Sequence, residues 1–278
     1  MQRRLFIVLL LIYTLFPCRG NAGSAVPASF SERLLREAFS AAFRDPEEFR
    51  ATGLFEKLGY TPDQVRAMAE ITPRPASLSV EAKPAGDASG SFHLIRVTCS
   101  EVQYYNLTID HAGFEFPDVR IDPEALVKGH LRFLSAGRID IDTHVSAGDI
   151  LKVFRFFAKA QRLSQMSLRI APKETVLTGN VRKGILVARF RVNGQPKLIS
   201  TDRIAFDCRK MDINGVPLPA AAIRAMFSRI NPVFDARKTW LNLKLREMGV
   251  ESGFVATKAT IHPAQATAAS ATSIIPRG

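Results

Sequence analysis

The residues best spaced for chemistry lie in "RIDIDTHV", where Asp140, Asp142 and His144 recur at every second position. On an extended strand that spacing puts all three side chains on one face. Two carboxylates and an imidazole together can bind a metal ion or carry out acid–base work. The residues between them, Ile139, Ile141, Thr143 and Val145, form the opposite face. Any half-exposed strand has this pattern, so a solvated polar face explains the three residues equally well. Asp110 and His111 read the same way. The chain has no Gly-x-Ser-x-Gly, no His-Glu-x-x-His, no phosphate-binding glycine loop and no dinucleotide fingerprint. No catalytic residue, metal or cofactor is therefore assigned, and a binding protein is expected ahead of an enzyme. Asn106-Leu107-Thr108 matches a glycosylation sequon, a short motif that chance often supplies.

The start of the chain sets a compartment. A basic "MQRR" precedes the apolar run Leu5 to Phe16, and small residues follow at Gly20, Ala22, Gly23 and Ala25. This is the layout of a secretory signal peptide over residues 1–22, and the run is short for a membrane span. An uncleaved anchor is the alternative. The expected location is the periplasm or cell envelope. Cleavage would remove Arg3, Arg4 and Arg19 and lower the formal charge from +12 to +9. An exported basic chain is expected to meet an anionic membrane surface and not nucleic acid. Beyond the signal segment two cysteines remain, Cys99 and Cys208, each on the apolar side of an alternating strand. A disulfide and a buried free pair are both open, and no Cys-x-x-Cys spacing suggests a metal.

The elements that position these residues fall into two kinds. Residues 30–71 read as helical, with Leu35, Ala38, Phe39, Ala42 and Phe43 at helical spacing and a break at Asp45-Pro46. Thr61-Pro62 opens a further helix. Residues 78–262 alternate as strands, separated by turn signals that include "HAGF" and "NGQP". The spacing predicts antiparallel pairing. Two amphipathic helices interrupt the strands, one after "VSAGD" running to about Leu163 and one after "GVPLP" running to Ile230. The expected fold is α+β and mainly antiparallel β: an elongated curved sheet or open barrel in which the two helices enclose an apolar groove, with an N-terminal helical region. Residues 263–278 read as a disordered tail.

The strongest functional signal is spread over many strands. "GILVARFRV" sets Leu186, Ala188, Phe190 and Val192 against Arg189 and Arg191. From Arg182 to Lys210 eight basic residues face two acidic ones. Such strands pair an apolar face with a basic one, and the apolar face must be covered by helices, another sheet or a ligand. In the first internal helix Phe156 lies beside Lys152 and Lys159, a grouping suited to membrane contact.

From about Phe116 to Ile261 the chain resembles the LmeA-like family of exported phospholipid-binding proteins. The matching pieces are "VSAGDILKVF", "RIAFDCRKMDINGVPLP", "FSRINPVFDARK" and the closing hairpin "LKLREMGVESGFVATKATI". The resemblance implies an elongated, mainly β fold with an apolar interior, similar to tubular lipid-binding proteins, and a phospholipid or other acyl-chain lipid as partner. Ile139, Ile141, Leu186, Phe190, Val192, Ile204 and Phe206 are then expected to line the cavity.

Overall fold

Most of the chain is committed to two antiparallel β-sheets, as the alternation predicts. The structure is a computed structural model that describes residues 30–69, 74–86, 90–104, 107–158, 163–238 and 241–264. It opens with four helices: α1 (Phe30–Arg44), α2 (Pro46–Ala51), α3 (Leu54–Lys57) and α4 (Pro62–Ala69). The break at Asp45 is a cap, because its carboxylate accepts from Glu47 N–H at 2.8 Å. Thr61 and Gln64 cap α4 reciprocally: Thr61 N–H donates to Gln64 Oε1 and Gln64 N–H to Thr61 Oγ1.

The first sheet contains β1 (Ser77–Pro84), β2 (Ser91–Tyr104), β3 (Leu107–Ile121), β5 (Ile139–Ser146), β13 (Phe254–Ile261) and β12 (Leu243–Glu251), in that order, with β4 (Phe133–Ser135) on β3. The fold includes a sheet curled into a half-barrel. The apolar face of the first sheet carries Ile95, Val97, Phe114, Phe116, Ile139 and Leu245, and the N-terminal helices cover it. Phe39 of α1 meets Phe116 at 5.5 Å between ring centroids, and Phe43 meets Phe114 at 5.6 Å. Helices and sheet share one hydrophobic core. The buried Tyr60 ties them further, since its hydroxyl donates to His262 C=O and accepts from Asn242 N–H.

The second sheet runs β10 (Val216–Pro217), β9 (Arg203–Ile213), β8 (Leu186–Ser200), β7 (Glu174–Lys183), β6 (Leu163–Ala171), with β11 (Phe234–Asp235) on β9. One end meets edge strand β12: Leu245 N–H donates to Thr201 C=O at 2.6 Å, and Leu198, Ile204 and Phe234 enter the shared core. Helix α5 (Pro123–Val127) follows β3. Helix α6 (Ala147–Ala158) links the sheets, and α7 (Ala220–Phe227) lies over β9. Leu163, expected at the end of the first amphipathic helix, instead opens β6. Three residues at helical spacing with the apolar stripes of these two helices, Phe154 of α6, Met226 of α7 and Ile230 just past it, are exposed.

Two turn signals are not turns. "HAGF" lies inside β3 and "NGQP" inside β8. Each glycine admits a neighbour that a side chain would displace. A Cβ at Gly113 would lie 2.8 Å from Asp142 Oδ1, and one at Gly194 would lie 2.3 Å from Asp207 C=O.

The "RINPVFD" corner after α7 is held by one side chain. Asn231 Oδ1 accepts from Phe206 N–H at 2.8 Å, and Asn231 Nδ2 donates to Phe206 C=O at 3.0 Å. The amide thus pairs with the edge of β9 as a strand backbone would. Asn231→Ala leaves both groups of Phe206 without their partner. It is expected to lower stability by about 1–3 kcal/mol, measured by urea denaturation. An unchanged midpoint would show that the corner is held by other contacts.

Candidate functional site

The structure divides the seven expected cavity residues among three environments. Ile139 and Ile204 are buried in the core shared with the helices, and Ile141 packs against it. Phe190 and Val192 are buried in a second, smaller core together with Met211 and Ile223, and Phe206 packs beside them. Leu186 is 70% exposed. Alternation had placed Leu186 on the same face as Phe190, and it does lie there. However, β9 ends opposite Phe190, so the strand runs on past its neighbour.

The second core is built from the inner face of β6 to β9 and roofed by α7. Gly179 makes room for it, since a Cβ there would lie 2.8 Å from the Phe190 ring and 3.2 Å from Met166. Phe190 therefore lies across its cross-strand partner. Phe227 of α7 stacks on Phe206 at 5.7 Å. Around four buried side chains stand Leu163, Leu177, Leu218 and Phe227, all only half-buried. These four belong to the apolar surface but were missed as site residues. Leu177 follows no distinctive motif, Leu218 is the leucine of the "GVPLP" turn, and Phe227 is legible on the apolar stripe of its helix. The first sheet differs, because aromatic rings from two directions fill its apolar face.

The two thiols are not joined. Cys99 lies on β2 in the large core and Cys208 on β9, in the other sheet, and both are free. Burial pushes the Cys99 thiol up to about 12 and also raises Cys208, so both favour the unreactive thiol form. Of the expected membrane-contact residues, Lys152 is exposed and pairs with Asp149 at 2.8 Å. The Phe156 side chain and the whole of Lys159 lie outside the described residues.

Asp140, Asp142 and His144 do share one face of β5, but each is held by different partners. Asp140 Oδ1 accepts from Thr260 Oγ1 at 2.7 Å and pairs with Arg246 at 2.8 Å, while its Oδ2 pairs with Arg138. Asp142 stands between Gly113 and Lys258, and His144 stacks on Phe254 at 4.3 Å. The strand register sets them in cross-sheet rows, for example Glu81, Arg96, Glu115 and Asp140. Arg96 between Glu81 and Glu115 stabilises strand pairing, and the like-charged Glu115–Asp140 pair is offset by the arginines that each carboxylate engages. Among the described residues, no group of three or more His, Cys, Asp or Glu can hold a metal ion.

The profile of the LmeA-like phospholipid-binding family matches residues 63–260. The match begins within α4 and runs through the strands to the penultimate residue of β13. No curated protein and no solved structure matches the chain significantly.

Asp142 gives the polar face a pH signature. Burial, with a smaller push from Glu115, raises its carboxyl from 3.8 to about 6, against the pull of Arg96 and Lys258. The fold thus binds this proton more tightly than the unfolded chain does. The stabilisation is complete below the unfolded value and is lost as pH rises through about 6. Asp142→Asn removes this dependence. The stability of the variant relative to wild type is expected to rise by about 1 kcal/mol from pH 4 to 7, after discounting for the solvent that screens a partly exposed group. Urea melts at the two pH values measure it, and a constant difference would mean that Asp142 titrates normally.

Proposed function

The chain belongs to the LmeA-like phospholipid-binding family, and from that membership we propose that it is an exported cell-envelope protein that holds phospholipid acyl chains against the inner face of its second sheet. The observation that carries the site assignment is the contrast between the two apolar faces. The first is packed with the rings of Phe39, Phe43, Phe114, Phe116 and Phe133. The second has a small buried centre bordered by half-buried Leu163, Leu177, Leu218 and Phe227 under an eight-residue helix. Acyl chains gain about 0.8 kcal/mol for each CH₂ removed from water. A lightly covered apolar face can give that gain without first dismantling a core.

Export is supported by the basic start and apolar run of residues 1–22. The excess of cations, eight against two from Arg182 to Lys210, suits phospholipid phosphates and an anionic membrane surface. Among the described residues no helix is long and apolar enough to cross a membrane. Shuttling of lipid between membranes is the activity that such a site serves.

The test is to load the purified chain with a phospholipid that carries a photoreactive group in its acyl chain and to map the adducts by mass spectrometry. Adducts are expected at Leu163, Leu177, Phe206 or Phe227. Adducts confined to the first core, at Ile95 or Phe116, would move the site to the other sheet. Failure to take up any phospholipid would reject the function itself.

A further inference from the structure

The two most exposed large apolar residues among those described, Ile185 and Leu186, are consecutive. Ile185, Leu186 and Val187 are 98%, 70% and 50% exposed, and they form the turn and first residues of the β7–β8 hairpin. The hairpin projects. β6 begins opposite Val181, and β9 ends opposite Phe190 with a last backbone bond from Asn214 N–H to Arg189 C=O. Past these points no described strand continues alongside. Leu186 lies four residues beyond Phe190, about 13 Å along the strand.

The two faces of this projection differ. Leu186 and Ala188, with Val181 opposite Ala188, lie on the side of Phe190; Arg182 pairs with Val187 and Asn180 with Arg189, on the other side. One face therefore extends the apolar surface of the second core to the tip, and the opposite face carries arginines. From Thr175 to Thr201 the sequence has five Lys and Arg and no Asp or Glu. Among the described residues Arg182 and Arg189 have no carboxylate partner.

We propose that the β7–β8 hairpin is the membrane-docking element, seating Ile185, Leu186 and Val187 among the acyl chains of an anionic bilayer while Arg182 and Arg189 meet the phosphates. A convex tip of three aliphatic residues is poorly suited to a protein partner, because specific interfaces bury more than about 1,000 Å². A bilayer accepts single side chains, and cations at the headgroup level add to their insertion. Helix α6 is the weaker candidate: among its described side chains Phe154 is the one exposed large apolar residue, and the Lys152 ammonium is engaged by Asp149. Docking at the hairpin would also place the bilayer in line with the apolar face to which lipid binding is assigned. The proposal takes from that assignment only that the partner is lipid.

The experiment is flotation of the full chain with vesicles of phosphatidylcholine containing about a third phosphatidylglycerol. The double variant Ile185→Ser/Leu186→Ser is expected to lose about tenfold or more in vesicle affinity at both low and high salt. Arg182→Gln/Arg189→Gln should lose about tenfold at low salt on the anionic vesicles and nothing on pure phosphatidylcholine. As a check on insertion, Ile185→Trp in a Trp240→Phe background should be quenched by brominated acyl chains. Wild-type vesicle affinity in both double variants, or an unquenched Trp on bound vesicles, would overturn the proposal. If wild-type chain holds no phospholipid yet docks through residues 185–186, the docking stands and the lipid-carrying reading falls. If lipid is taken up from micelles but both double variants dock normally, the reverse holds.

Discussion

An apolar sheet face cannot be left in water, and the way each of the two faces is covered determines the rest of this structure. Long strands with strict alternation generate one apolar and one polar face per sheet. On the first sheet the cover comes from α1, whose Phe39 reaches both Phe116 and Phe133. Tilted and edge-on rings of this kind contribute beyond the area they bury. Tyr60 and the backbone bond from Ala264 N–H to Leu58 C=O then fasten the helices to the C-terminal end of the sheet. The result is a large core filled from both sides by side chains of the helices and the sheet.

The second sheet obeys the same constraint with less material. Short helix α7 lies over β9, held at its far end by the Asn231 amide, and α6 packs against β6. Half-buried side chains border four buried ones, and the hairpin tip has no described cover at all. A firmly built sheet thus supports a lightly covered one through edge strand β12. This arrangement suits a protein that must keep its fold while an apolar surface exchanges what lies on it.

Much of this was legible in the sequence because alternation reports which side chains share a face. Ile139, Ile141, Thr143 and Val145 do lie opposite Asp140, Asp142 and His144, and the helical stripe through Leu35, Phe39 and Phe43 is buried. The misreadings have one physical source. Gly113 and Gly194 read as turn residues because glycine is common in turns, but here the missing Cβ admits a carboxylate and a carbonyl from neighbouring strands. Close approach between strands depends on register, and register is not written in any one strand. Leu186 shows the same limit. Its face was correct, but its exposure depends on where β9 stops, a property of a strand more than twenty residues away.

The polar face shows why chemical spacing alone is weak evidence for catalysis. The carboxylate of Asp140 is shared by its ladder partner Thr260, by Arg246 at the register shift of β12 and by Arg138 just before β5, so it serves the sheet. Asp142 is buried enough to resist ionisation, yet its neighbours are ladder partners. Family membership narrows the ligand class to phospholipid but leaves open which surface receives it. The matched segment, 63–260, contains both sheets and omits α1 to α3, which cover the first. In this chain, residues outside the family's shared segment close one apolar face. The other, built and roofed entirely from within the shared segment, is the face on which a function common to the family can reside.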